Sequence, residues 1–138
     1  MKKITIQDIK NFKTKSSPFA TLTAYDFTSA QILDEVGVPL ILVGDSASMT
    51  IYGYDTTIPV SMEEMLLVVK AVTRGAVSSL VVADMPFLSY QTSIEDTILN
   101  AGTFIKDGGA GAVKLEGGKH IMKHIEALVN IGIPVLGH

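Results

Sequence analysis

Short, almost uninterrupted apolar runs recur along the chain, and between them apolar residues fall into the i, i+3, i+4 spacing of amphipathic helices. Leu40-Ile41-Leu42-Val43, Leu80-Val81-Val82-Ala83 and Ala112-Val113-Lys114-Leu115 are too short for buried helices and lack the alternation of a half-exposed strand. Each therefore reads as a strand covered on both faces. Two further strands are predicted over 19–25 and 134–137. The intervening segments carry helix punctuation: Thr5 with Asp8 and Ser61 with Glu64 have capping-box spacing, and Ser93 caps with Asp96. Helices are predicted over 5–13, from Asp26 or Thr28 to a stop at Gly37, from Ser61 through Arg74 to a stop at Gly75, from Ser93 to Gly108-Gly109, and over 119–130. Residues 45–59 are predicted as a long loop. Such a loop is either a cover over a binding site or a plain surface excursion.

Strands and helices that alternate through four crossovers build a parallel sheet. Two architectures accommodate five strands in 138 residues: a doubly wound open sheet, and part of a closed eight-stranded barrel, whose typical length of about 250 residues allots roughly 30 to each unit. The acids favour the barrel. An open sheet gathers its ligand at one switch point, whereas acids at the ends of successive strands suit a ring. The expected fold is α/β, about five of the eight strand-helix units of a TIM barrel, in a single domain over 1–138.

Those acids are Asp45, Asp84 and Glu116, one after each of the three clearest strands. Parallel strands end on the same side, so the three should converge at the edge where such folds bind ligands. Converging carboxylates repel unless a cation sits among them, and a hard divalent ion with open positions for substrate oxygens answers that need. Asp45 and Asp84 could instead be helix caps, but Ser61 and Ser93 are better placed for that; Glu116 could be a surface acid. Lys114 is costly inside an apolar strand unless its ammonium meets an anion, and it shares a face with Glu116. His120 and His124, four apart, read as a solvated helical face in preference to a chelating pair. His138 ends the fifth strand, either as a donor to the acidic rim or as a structural residue.

Composition narrows the classes further. With 47% hydrophobic residues the chain is too apolar for disorder. A net charge of −3 with scattered lysines offers no basic stripe, so no nucleic-acid partner is expected. The absence of cysteine excludes disulfides, thiolate metal sites and a cysteine nucleophile, and fits a reducing cytoplasm. Neither a signal-like start nor an apolar stretch near the ~20 residues of a membrane span is present, so no membrane partner is expected. Gly108-Gly109-Ala110-Gly111 follows a helix and precedes a strand, the reverse of a dinucleotide fingerprint, and Gly118-Lys119 lacks the rest of a phosphate loop.

Five ordered motifs carry a resemblance: Val-Gly-Asp-Ser at 43–46, Gly-Tyr-Asp-Thr-Thr at 53–57, Ala-Asp-Met-Pro-Phe at 83–87, Val-Lys-Leu-Glu-Gly-Gly at 113–118 and Pro-Val-Leu-Gly-His at 134–138. Across essentially its whole length the chain resembles the 3-methyl-2-oxobutanoate (ketopantoate) hydroxymethyltransferase family. That resemblance implies a barrel of the phosphoenolpyruvate-binding superfamily, Mg²⁺, and 5,10-methylenetetrahydrofolate as co-substrate. The implied reaction passes a hydroxymethyl group to 3-methyl-2-oxobutanoate through a Mg-bound enolate, giving 2-dehydropantoate on the way to pantothenate. It puts Asp45, Asp84 and Glu116 at the metal, and Asp45, Ser46, Asp84 and Lys114 at the oxo acid. It also implies a homo-oligomer, a decamer in the family. Many members have Leu-Gly where Ala47-Ser48 stands and His where Tyr54 stands, changes confined to the loop. Family members continue beyond the position of His138, and their catalytic Glu lies there. From this the chain by itself is expected to associate or pack loosely, and to show no transfer. The alternatives are another Mg-dependent oxo-acid lyase or mutase of the same superfamily, and an inactive fragment.

Overall fold

The computed structural model of the chain describes residues 2–138. Four of its helices begin where side chains take up the free amides of a first turn. Thr5 and Asp8 close a capping box on α1 (Ile6–Thr14), Asp26 accepts from Ser29 N ahead of α2 (Phe27–Glu35), and Ser61 and Glu64 close a second box on α4 (Met62–Gly75). Ser93 caps α5 (Ile94–Lys106) by accepting from Asp96 N at 3.0 Å. The strands are β1 (Thr21–Thr23), β2 (Leu40–Val43), β3 (Leu80–Asp84), β4 (Ala112–Leu115) and β5 (Val135–Gly137).

All strand pairs are parallel and their spatial order is β1-β2-β3-β4-β5. A doubly wound sheet reverses direction at a switch point; this one never does, and strictly sequential order is the order of a barrel wall. Alternation sorts the side chains. Ile41, Val43, Val81, Ala83, Val113 and Leu115 pack outward against Met65, Val69 and Val72 of α4, Phe104 of α5 and Leu128 of the last helix, α6 (Met122–Asn130). Each large side chain buried there contributes about 2 kcal/mol. Leu40, Leu80, Val82 and Ala112 form a second cluster on the other face, covered by Ile6 and Ile9 of α1 together with Ile4 and Phe19. Since Leu40 and Leu80 open their strands, α1 closes the end of the sheet opposite the acids.

Four features depart from the sequence reading. The first strand is only three residues long; all three are exposed and β2 is its one neighbour. The 45–59 loop contains a one-turn helix, α3 (Ala47–Thr50), closed by Ile51 N donating to Ala47 O at 2.8 Å. Gly75 is the last residue of α4 rather than a stop beyond it. Its lack of a side chain serves packing, since a β-carbon there would collide with the backbone oxygen of Phe27 where α2 crosses α4. The 119–130 helix is divided into a 3-10 turn (Lys119–Ile121) and α6, so His120 and His124 stand on different elements.

Asp34, 6% exposed at the end of α2, ties that helix to the start of β3. It accepts from Ser78 N at 2.9 Å, Ser79 N at 2.6 Å and Ser79 Oγ at 2.7 Å. Burial alone would push its carboxyl up, but the bonds from Ser79 and Ser78 outweigh burial and hold it below the usual carboxylate range. A depressed acid stabilises the fold above its unfolded pKa, near 4, and that contribution disappears as pH falls through the folded value. Asp34→Ala is therefore expected to cost about 3 kcal/mol at pH 7, with the gap to the parent protein closing below about pH 4. Denaturant melts at both pH values check this.

Candidate functional site

Asp45, Asp84 and Glu116 all line one pocket of about 380 Å³ at the carboxyl ends of the strands. β3 ends on Asp84 itself, and the strand register sets Asp84 directly beside Lys114 of β4. Residues paired on one face of adjacent strands meet through their side chains, and Lys114 Nζ donates to both Asp84 oxygens at 2.9 Å. The pair is shielded, with side chains 14% and 7% exposed. The anion that repays the cost of a lysine in an apolar strand is thus Asp84, the neighbouring strand's carboxylate. Burial pushes the Asp84 carboxyl up, Lys114 pulls it down, and the charge of Asp45 adds to the rise. Asp45 N also donates weakly to Asp84 Oδ2, at 3.4 Å.

Glu116 is exposed, and its side chain lies 3.3 Å from His138 Nδ1 across the β4–β5 edge, both groups being open to solvent. Its backbone is held from below by the buried Tyr90, whose hydroxyl accepts from Glu116 N at 3.2 Å and donates to Glu116 O at 2.8 Å. Ser46, ahead of α3, shares a 2.7 Å hydrogen bond with the hydroxyl of Tyr25. Neither Ser46 nor Lys114 is among the residues lining the pocket, which Lys114 reaches through Asp84. His120, read as part of a solvated face, is exposed and also lines the pocket. His124 is half-buried, its Nδ1 2.8 Å from Thr97 Oγ1, so it braces α6 against α5.

Tyr25 and Tyr90 are the positioning residues that sequence reasoning missed. Tyr25 directly follows the first strand, on the same rim as the acids, and that placement was the available signal. Tyr90 lies within a loop, where no periodicity singles it out. Thr57 and Ile58 of the long loop, with Phe87 after β3, complete the wall around the acids. The acids thus share the pocket with apolar Ile58 and Phe87 and with polar Thr57, Gln91 and His120.

The donor set is hard: three carboxylates and one ammonium leave two negative charges uncompensated. Asp84 Oδ1 keeps a lone pair after bonding to Lys114, whereas Oδ2 also takes the weak bond from Asp45 N. Among the described residues no three His, Asp or Glu side chains close around a common point. Mg²⁺ does not require that, since it retains waters and takes one or two carboxylates together with oxygens of the bound molecule. The residues fit such an ion.

Comparison with known proteins bears on the same residues. A family model described as ketopantoate hydroxymethyltransferase matches residues 3–138. The 3-methyl-2-oxobutanoate hydroxymethyltransferase of Saccharopolyspora erythraea is 52% identical over 137 residues, covering 99% of this chain and 47% of that protein. The enzyme of that name from Carboxydothermus hydrogenoformans is 53% identical over 138 residues, covering 100% of this chain and 50% of its own length. The chain spans about half the length of the curated relatives it matches. Among solved structures, phosphonopyruvate hydrolase in complex with oxalate and Mg²⁺ superposes with a TM-score of 0.77 at 16% identity, over 99% of this chain and 52% of that one. A 2,3-dimethylmalate lyase of the PEP mutase/isocitrate lyase superfamily gives 0.70 at 15%, over 95% and 51%. These likenesses show the fold: the five-stranded parallel sheet is arranged as part of an α/β barrel. Among the described residues no helix is long and apolar enough to cross a membrane.

Proposed function

The chain belongs to the ketopantoate hydroxymethyltransferase family, and on that premise we propose that its pocket is the oxo-acid site of an enzyme that passes a hydroxymethyl group from 5,10-methylenetetrahydrofolate to 3-methyl-2-oxobutanoate, giving 2-dehydropantoate. The observation that carries this reading is that Asp84, shielded and bonded to Lys114, lines one pocket with Asp45 and Glu116. A divalent magnesium ion bound there supplies Lewis-acid polarisation of a keto oxygen, which makes the adjacent carbon more acidic.

The chain's own residues do the rest. Asp45 and Asp84, after β2 and at the end of β3, would hold the ion, and Glu116 from the β4 turn would reach it through water. Lys114 fixes the Asp84 carboxylate and adds a positive charge where the oxo acid's anionic end approaches. Tyr90 holds the turn that carries Glu116, and Tyr25 holds Ser46 beside Asp45. Ile58 and Phe87 on the pocket wall give the branched alkyl end an apolar surface. The proton leaving the carbon goes to a base that the resemblance implies lies beyond residue 138.

A Mg-dependent oxo-acid lyase or mutase is the second reading, favoured by the fold likenesses. Incubating the intact protein with 3-methyl-2-oxobutanoate and Mg²⁺, with and without 5,10-methylenetetrahydrofolate, separates the two when products are followed by mass spectrometry. We expect 2-dehydropantoate only when folate is present. Cleavage or rearrangement of the oxo acid without folate would establish the second reading.

A further inference from the structure

Residues 51–60, between α3 and α4, supply Thr57 and Ile58 to the pocket wall, yet most of them are exposed. The polar hold on this segment from α4 converges on one residue, Glu64. Glu64 Oε2 accepts from Ser61 N at 2.8 Å, completing the capping box of α4. Its other oxygen, Oε1, accepts from the Tyr54 hydroxyl at 2.5 Å, ten residues back along the chain. Tyr52 adds a 3.3 Å bond from its hydroxyl to Glu64 O, and its ring lies 6.0 Å from that of Tyr54. On the other side, Tyr54 N donates to Ser48 O at 3.0 Å, while Ser48 Oγ reaches Thr56 O at 3.4 Å.

Capping alone does not explain this arrangement. In the capping box of α1, Asp8 spends Oδ2 on both Thr5 N and Thr5 Oγ1 and makes no bond to a distant segment. Glu64 divides its oxygens between the helix start and the loop. The bond from Tyr54, followed by that from Ser61, holds the Glu64 carboxyl below its ordinary range, and the same contact raises the Tyr54 phenol. A charged acceptor makes this the strongest polar link between the loop and α4.

We propose that the Tyr54–Glu64 hydrogen bond is a latch that fixes residues 51–60 on the start of α4, so that Thr57 and Ile58 stand as a wall of the pocket, and that Tyr54 and Glu64 are positioning residues for the branched oxo acid. The substrate part of this inference rests on the function proposed above; the latch itself does not. Tyr54→Phe removes the bond while leaving the ring and the capping box in place.

Amide hydrogen exchange and steady-state kinetics on the intact protein test the latch together. Loss of one hydrogen bond to a charged group should speed exchange across residues 51–60 about tenfold, leave α4 amides unchanged, and raise KM for the oxo acid about tenfold with kcat nearly constant. Glu64→Gln as a single variant, which can still accept from Ser61 N and donate to the Tyr54 oxygen but lacks the charge, should show a smaller change in both readouts than Tyr54→Phe. Unchanged loop exchange in Tyr54→Phe, or faster exchange spread equally through α4, would overturn the latch, and faster loop exchange with KM unmoved would overturn the positioning role. Exchange is read without turnover, so a protein showing the loop effect but no transfer supports the latch and refutes the reaction.

Discussion

Replacing Lys114 with alanine is expected to reduce turnover about 100-fold and to lower stability at neutral pH by about 3 kcal/mol. The two effects share one cause. Lys114 donates to both oxygens of a carboxylate whose side chain is only 7% exposed, so its removal strands a buried charge and takes away the cation behind the pocket's Asp84. Asp84 is already pushed up by burial, and Lys114 opposes that rise. Without the lysine the folded carboxyl titrates higher still. An acid whose folded pKa is raised destabilises the fold as pH rises from its unfolded value through its folded one. The variant's deficit should therefore be small toward the ordinary carboxylate range, near pH 4, and grow as pH rises from there. Thermal melts across that range check the sign. A pH-independent deficit would mean that the loss comes from packing of the lysine stem.

Asp84→Asn is expected to have the opposite balance: turnover falls about 1000-fold, while the melting temperature changes by only a few degrees. The amide removes a charge that burial disfavours. It also leaves Lys114 without its partner, but that long side chain is the more exposed member of the pair and can swing its head toward water. What the amide cannot do is attract a divalent ion alongside Asp45. Kinetics and calorimetry on the same preparation check both halves; a collapse in melting temperature equal to that of Lys114→Ala would show that the pair is structural first.

The strands were legible because a strand buried on both faces needs no periodicity, only a short apolar run between turns, and Leu40–Val43 and Ala112–Leu115 appear where those runs lie. The caps were legible because Thr5, Ser61 and Ser93 bond within three residues of themselves. What escaped depends on register or on distant packing. Lys114 visibly needed an anion, but that the anion is Asp84 follows from pairing strands thirty residues apart. His124 looked solvated until Thr97 of α5 was brought against it, and Ser46 acquires Tyr25 from the neighbouring strand's end. The α3 turn within the long loop has too few residues to display a period. The acids of the candidate site were legible because the ends of parallel strands share one edge, whereas the residues that hold them were not.

Titrating the intact protein with 3-methyl-2-oxobutanoate by calorimetry, with Mg²⁺ present and again after chelation, tests most directly the claim that Asp45, Asp84 and Glu116 bind an oxo acid through a divalent ion. The account predicts saturable binding with Mg²⁺, weakened at least about 100-fold by chelation and similarly weakened in Asp84→Asn. Binding of equal affinity in the presence of chelator, or undiminished in Asp84→Asn, would contradict it.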